Sequence, residues 1–141
     1  IGGFPVGIKS GEDLLTWERL AIHNKIAYFK RPLAYYIETA SDTDVRKIKM
    51  RSGGEKYILN ELLRLYADMK EGSFKQQFKA FIIKWYKIYA VTLIEVEKGH
   101  QAISVAFHAV VFGGTLKSFF PIVCLGLLPN KLSLYLFYKL R

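Results

Sequence analysis

A single cysteine, Cys124, is the whole thiol content of this 141-residue chain, so no internal disulfide can staple it and no thiol pair can grip a metal. Its neighbours Ile122, Val123 and Leu125 are apolar, which predicts a buried or lipid-facing thiol rather than a nucleophile. The three histidines, His23, His100 and His108, do not fall at metal-ligand spacing, and no residue is assigned to a metal. Proline is sparse. None of the four lies between Pro32 and Pro121, which leaves that stretch open to long helices. Carboxylates are the scarcer charge, 12 against 21 Lys and Arg, and the formal net charge is +9. No stretch runs apolar and uninterrupted for the roughly 20 residues that a spanning helix needs. The first residues, Ile1 to Pro5, contain neither an initiator Met nor a basic region leading into an apolar run. No secretory signal is therefore expected there, and the chain reads as a piece of a longer one. There is no internal repeat and no low-complexity tract.

What is abundant is apolar. Hydrophobic residues make up 51% of the chain, aromatics 15%, and mean hydropathy is +0.12. A nucleic-acid binder would instead concentrate Lys and Arg on a polar face, so no nucleic-acid partner is expected. Basic and apolar together suit an anionic membrane surface. The length allows one ordinary domain.

Gly2, Gly3, Gly7 and Gly11 with Pro5 predict an N-terminal loop. Ser10, with Asp13 three residues on, fits an N-cap with an acidic first turn, and Leu14, Trp17, Leu20 and Ala21 then recur at helical spacing. A helix over 12–22 follows. Residues 25–29 and 33–37 are short, aromatic-rich and separated around Arg31-Pro32, which predicts two short strands. Residues 39–54 are polar and end in Ser52-Gly53-Gly54, an exposed linker. Ile58, Leu59, Leu62, Leu63, Tyr66 and Met69 form a helical stripe ended by Gly72. A second helix over 74–97 interleaves Phe78, Phe81, Ile82 and Trp85 with lysines, in the manner of an interfacial helix. Residues 102–128 are the most apolar, but Gly113-Gly114, Lys117 and Pro121 interrupt them, so two short helices are expected rather than one span. A last helix is expected within 132–141.

Residues 2–37, and above all Gly11-Glu12-Asp13, Trp17, Arg19-Leu20, Lys25-Ile26-Ala27-Tyr28 and Pro32-Leu33-Ala34-Tyr35-Tyr36, resemble the acceptor-side segment of family-2 glycosyltransferases. The fold that the resemblance implies is α+β and mainly helical. Residues 1–38 would be the C-terminal end of a GT-A catalytic domain, with one helix and two short strands. Residues 39–54 would be the linker, and residues 55–141 a helical membrane-associating region. The implied activity is inverting transfer from a nucleotide-sugar donor to a glycan or lipid-linked acceptor. The chain would sit on the cytoplasmic face of the membrane, peripheral or monotopic. Asp13 is the implied base, and Glu12, its partner in the catalytic pair, would help bind the acceptor or orient the loop; Gly3, Phe4, Gly11, Trp17 and Arg19 would bind the acceptor. Inverting transfer needs a carboxylate placed to take the proton of the attacking hydroxyl. The family holds the donor diphosphate through Mg²⁺ or Mn²⁺ on an Asp-x-Asp motif, in a donor half that this chain lacks. Asp42-Thr43-Asp44 has the pattern but follows the acidic pair instead of preceding it, and no cofactor is expected in this chain alone.

Two bland readings compete. Acidic residues in a first helical turn are common because each complements the helix dipole by roughly 0.3–1 kcal/mol. The alternative function is a non-enzymatic membrane-surface or helix-partner protein, in which Glu12 and Asp13 would be dispensable.

Overall fold

The computed structural model describes residues 1–8, 11–27, 29–35 and 54–139. Six helices make up the regular structure of these residues: α1 (Glu12–His23), α2 (Gly54–Asp68), α3 (Ser73–Glu95), α4 (Gly99–Phe112), α5 (Leu116–Leu127) and α6 (Asn130–Lys139). The described residues contain no strand, so the expected α+β piece is corrected to an all-helical arrangement. Of the two spans expected to be strands, residues 25–27, 29 and 33–35 are described, and all are exposed irregular chain. The aromatic and β-branched content of these spans was a fair signal. A strand, however, is stabilised by the neighbour that completes its ladder and covers one face. Ile26, Phe29, Leu33 and Tyr35 face solvent, and no partner strand lies beside them among the described residues. Ser10, Asp42-Thr43-Asp44 and residues 39–53 of the expected linker lie outside the described residues.

The longest helix, α3, is the axis of the bundle. Phe78, Ile82, Tyr86, Ala90, Leu93 and Ile94 are buried along it, and it packs against α2, α4, α5 and α6. One side of the helix expected to be interfacial is thus spent on the core. The lysines that suggested snorkelling sit on the remaining arc, where Lys84 and Lys87 are exposed. From α2 the core receives Ile58, Leu59 and Leu62, and from α1 it receives Leu15. Burying a side chain of this size contributes roughly 1.5–3 kcal/mol.

The buried residues of α4 are all small: Ala102, Ala106 and Ala109. Together with Gly99 they let α5 lie close, and α5 answers with Phe119 and Ile122. Gly99 and Gly126 meet backbone to backbone. A Cβ built on Gly126 would stand 2.7 Å from Gly99 O and 2.7 Å from Ile103 Cγ1, and one on Gly99 2.7 Å from Gly126 O. Such distances admit hydrogen only.

The expected break at Gly113-Gly114 separates α4 from α5. No helix among the described residues is long and apolar enough to cross a membrane. Cys124 is exposed on α5.

Two helix ends share one hydrogen-bond pattern but not one residue type. At the end of α3, Glu97 N donates to Ile94 O (3.0 Å) and Lys98 N to Leu93 O (2.8 Å). At the end of α4, Gly113 N donates to Val110 O (3.0 Å) and Gly114 N to Ala109 O (2.8 Å). Both are Schellman closures, which place their turning residue at positive φ. Gly113 adopts φ 120° freely, whereas Glu97 is held at φ 60°. The left-handed conformation costs a residue with a Cβ about 1 kcal/mol. Glu97→Gly is therefore expected to raise stability to chemical denaturant by roughly 0.5–1 kcal/mol, less the exposed 3.3 Å bond from Asn130 Nδ2 to Glu97 Oε2.

Candidate functional site

The entry to α1 is set by Gly11. It sits at φ 82°, the N-cap makes no side-chain capping bond, and its carbonyl accepts from Leu15 N at 3.2 Å. A Cβ at this position would collide with Ile58 Cδ1 and touch Trp85 Cη2 at 3.7 Å. The positive φ favours glycine, and a Cβ would also displace the tip of Ile58; glycine therefore lets the start of α1 seat on the α2–α3 core. Gly11 thus positions the acidic pair through the backbone.

The two carboxylates that follow have different surroundings. Asp13 is exposed, and its Oδ1 accepts from Leu14 N at 2.7 Å. Glu12 is half-buried, and its Oε2 is shut off from solvent with no hydrogen-bond partner among the described residues. One side of the pair faces outward and the other turns in.

Thr16, almost fully buried, holds the N-terminal loop against the helix. Its hydroxyl lies 2.9 Å from Glu12 O and 3.3 Å from Gly3 O, so one proton is shared between a helical carbonyl and the loop. Gly3 is thereby brought to the first turns of α1, with the Phe4 ring exposed beside it. The apolar spacing assigned Trp17 to the buried stripe, but Leu15 fills that place and Trp17 is 61% exposed. Asp13 and Trp17 are four residues apart on the outward side of α1, a separation of about 5–6 Å between Cβ atoms.

Arg19 reaches both α2 and the N-terminal loop, where a Cβ on Gly2 would stand 3.6 Å from its Nη1. Its Nη2 lies 3.2 Å from Glu61 Oε2, and Glu61 Oε1 accepts from Arg64 Nη1 at 2.7 Å. The Arg19 and Glu61 side chains are 19% and 15% exposed. The guanidinium thus belongs to the seam that ties α1 to α2. Of the residues expected at the site, Gly3, Phe4, Asp13 and Trp17 are each exposed, with Gly3 tied to α1 through Thr16; Gly11 and Glu12 form the turn that precedes Asp13, and Arg19 lies between Glu61 and the Gly2 backbone.

Burial pushes the carboxyl of Glu18, also on α1, above its ordinary range. A carboxyl raised in the folded state binds its proton more tightly there than when unfolded, so folding stability falls as pH rises through the folded value. Glu18→Gln is expected to raise the melting temperature at neutral pH and to lose that advantage in acid below the ordinary carboxylate range. Thermal denaturation at both pH values checks this.

Two hollows escaped the sequence reading. One, of about 700 Å³, lies among α2, α3 and α4, with Lys56, Asn60, Tyr89, Lys98 and His108 in its lining. Burial raises the phenol of Tyr86 in its wall, and burial followed by the charge of Glu55 raises that of Tyr89, so both remain protonated donors. His108 Nδ1 lies 2.7 Å from Ser104 O, which makes Nδ1 the protonated nitrogen. The other hollow, of about 560 Å³, is framed by the α3–α4 and α5–α6 turns and includes Glu97, His100 and Asn130. The residues lining each hollow come from separated parts of the chain, and no local spacing marks them. Among the described residues no group of three His, Cys, Asp or Glu could hold a metal ion.

No family model, curated protein or solved structure matches the chain.

Proposed function

We propose that the chain is the acceptor-side, C-terminal portion of an inverting glycosyltransferase, with Asp13 as the base. The observation that carries this reading is the pairing of an exposed carboxylate, Asp13, with an exposed indole, Trp17, one turn apart on α1. A dipole-complementing first-turn acid does not need an aromatic neighbour left in water. Trp17 offers a flat apolar face to the C–H side of a sugar ring, and Asp13 stands where it can receive a hydroxyl proton.

In the reaction, an acceptor hydroxyl oxygen attacks the anomeric carbon of the nucleotide sugar. The new glycosidic bond forms as the bond to the diphosphate breaks, the bonding pair leaves with the nucleoside diphosphate, and the hydroxyl proton passes to the Asp13 carboxylate. The glycines around the loop allow the sugar to approach the backbone. Glu12 orients the turn that presents Asp13. Mg²⁺ or Mn²⁺ on the donor diphosphate would neutralise the departing charge. The described residues do not fit such an ion, and the step derived from them is the proton transfer alone.

The test is made in the full gene product that carries these 141 residues, with a panel of nucleotide sugars and acceptor glycans. Acceptor-dependent release of nucleoside diphosphate is expected from the wild type and lost in Asp13→Asn. Wild-type release by that variant overturns the assignment.

A further inference from the structure

We propose that the outer face of α5, with the adjoining end of α4, rests on an anionic lipid surface; this goes beyond the sugar-transfer reading and does not depend on it. At 100° per residue, Leu116, Phe120, Cys124 and Leu127 fall within about 80° of one another on α5. All four are exposed, Leu116, Phe120 and Leu127 by 66%, 59% and 69%. The opposite side of the helix buries Phe119, Ile122 and Gly126. Apart from Lys117 and Ser118 every residue of α5 is apolar; a helix so apolar is ordinarily covered on every side, and α5 is not covered on this one. Before the Gly113-Gly114 turn, Phe107 and Val111, one turn apart on α4, are exposed as well.

Charge selects the occupant. From residue 98 to residue 141 the chain has Lys98, Lys117, Lys131, Lys139 and Arg141 and no Asp or Glu at all. Lys117 and Lys131 stand exposed close to the two ends of α5. The ion pairs Arg19–Glu61, Arg64–Glu61 and Lys75–Glu71 lie on α1, α2 and the approach to α3. Glu97 reaches the C-terminal end of α5 through its bond from Asn130, and the remaining charges are cations; apolar side chains framed mainly by cations fit the boundary between acyl chains and anionic head groups. With no spanning helix among the described residues, the contact is one of lying on the surface.

The only thiol reports on the face directly. A bimane attached to Cys124 is expected to shift blue and to become shielded from iodide when equimolar phosphatidylglycerol–phosphatidylcholine vesicles are added at low salt. Both effects should weaken at high salt and with pure phosphatidylcholine. Phe120→Asp, at an exposed position, should retain helical circular dichroism and sediment with the anionic vesicles at least about tenfold less well. Asp13→Asn should bind vesicles as the wild type does. An unchanged bimane spectrum with anionic vesicles overturns the proposal. So does a blue shift that grows with protein concentration in their absence, which assigns the face to a second copy of the chain.

Discussion

Gly126→Leu is expected to destabilise the bundle by about 3 kcal/mol or more, near the upper end of the cost of overpacking. The atoms in the way are not yielding ones. Two of the three nearest neighbours of a Cβ at Gly126 are Gly99 O and the Cγ1 of Ile103, each at 2.7 Å, and the carbonyl is fixed by its own helix. Accommodation therefore requires α4 and α5 to separate, which strips Phe119 and Ile122 of contacts on both helices. The melting temperature should fall by roughly 10 °C. Leu127→Ser, at the next residue but on the exposed side, should stay within about 0.5 kcal/mol of the wild type in lipid-free buffer. Equal stability of the two variants would mean that the α4–α5 crossing is not as close as described.

The second large effect concerns activity. Asp13→Asn keeps the size and the first-turn position of the side chain but removes its capacity to take a proton. General-base removal typically lowers the rate about 10²–10⁴-fold. The loss should fall on kcat while KM for the nucleotide sugar stays near its original value, because the amide still occupies the surface and the donor does not depend on it. Glu12→Gln is the informative comparison. Glu12 is turned inward, with Oε2 out of solvent, so its substitution should act through the position of the turn and not through proton transfer. A rate loss in Glu12→Gln larger than in Asp13→Asn would exchange their roles.

Much of the helical layout was legible because local signals and tertiary packing agreed. Gly72 and Gly113-Gly114 mark true breaks, and Ile58, Leu59 and Leu62 are the buried residues that their spacing announced. Where one signal had two physical uses, the sequence left the choice open. Phe78, Phe81 and Ile82 mixed with lysines suit either a lipid interface or the central helix of a bundle, and the surrounding helices show that Phe78 and Ile82 serve the core. Ile26, Phe29, Leu33 and Tyr35 have strand propensity, but propensity without a partner strand yields exposed chain. The end of α3 was legible to within two residues, although Glu97 takes a left-handed position where glycine is the usual marker. At the candidate site the acidic pair was visible from sequence. The division of labour within it was not, since inward and outward faces depend on Gly11 meeting Ile58 and on Thr16 reaching Gly3. Arg19 was similarly ambiguous until Glu61, distant in sequence, was found beside it.

The role of Asp13 is tested most directly by single-turnover release of nucleoside diphosphate in the full gene product, with acceptor saturating, for wild type and Asp13→Asn. A fall of about 10²–10⁴-fold in the acceptor-dependent rate, with the variant's fold and its vesicle binding intact, is the expected result. Equal rates would contradict it and leave Asp13 a helix-capping charge.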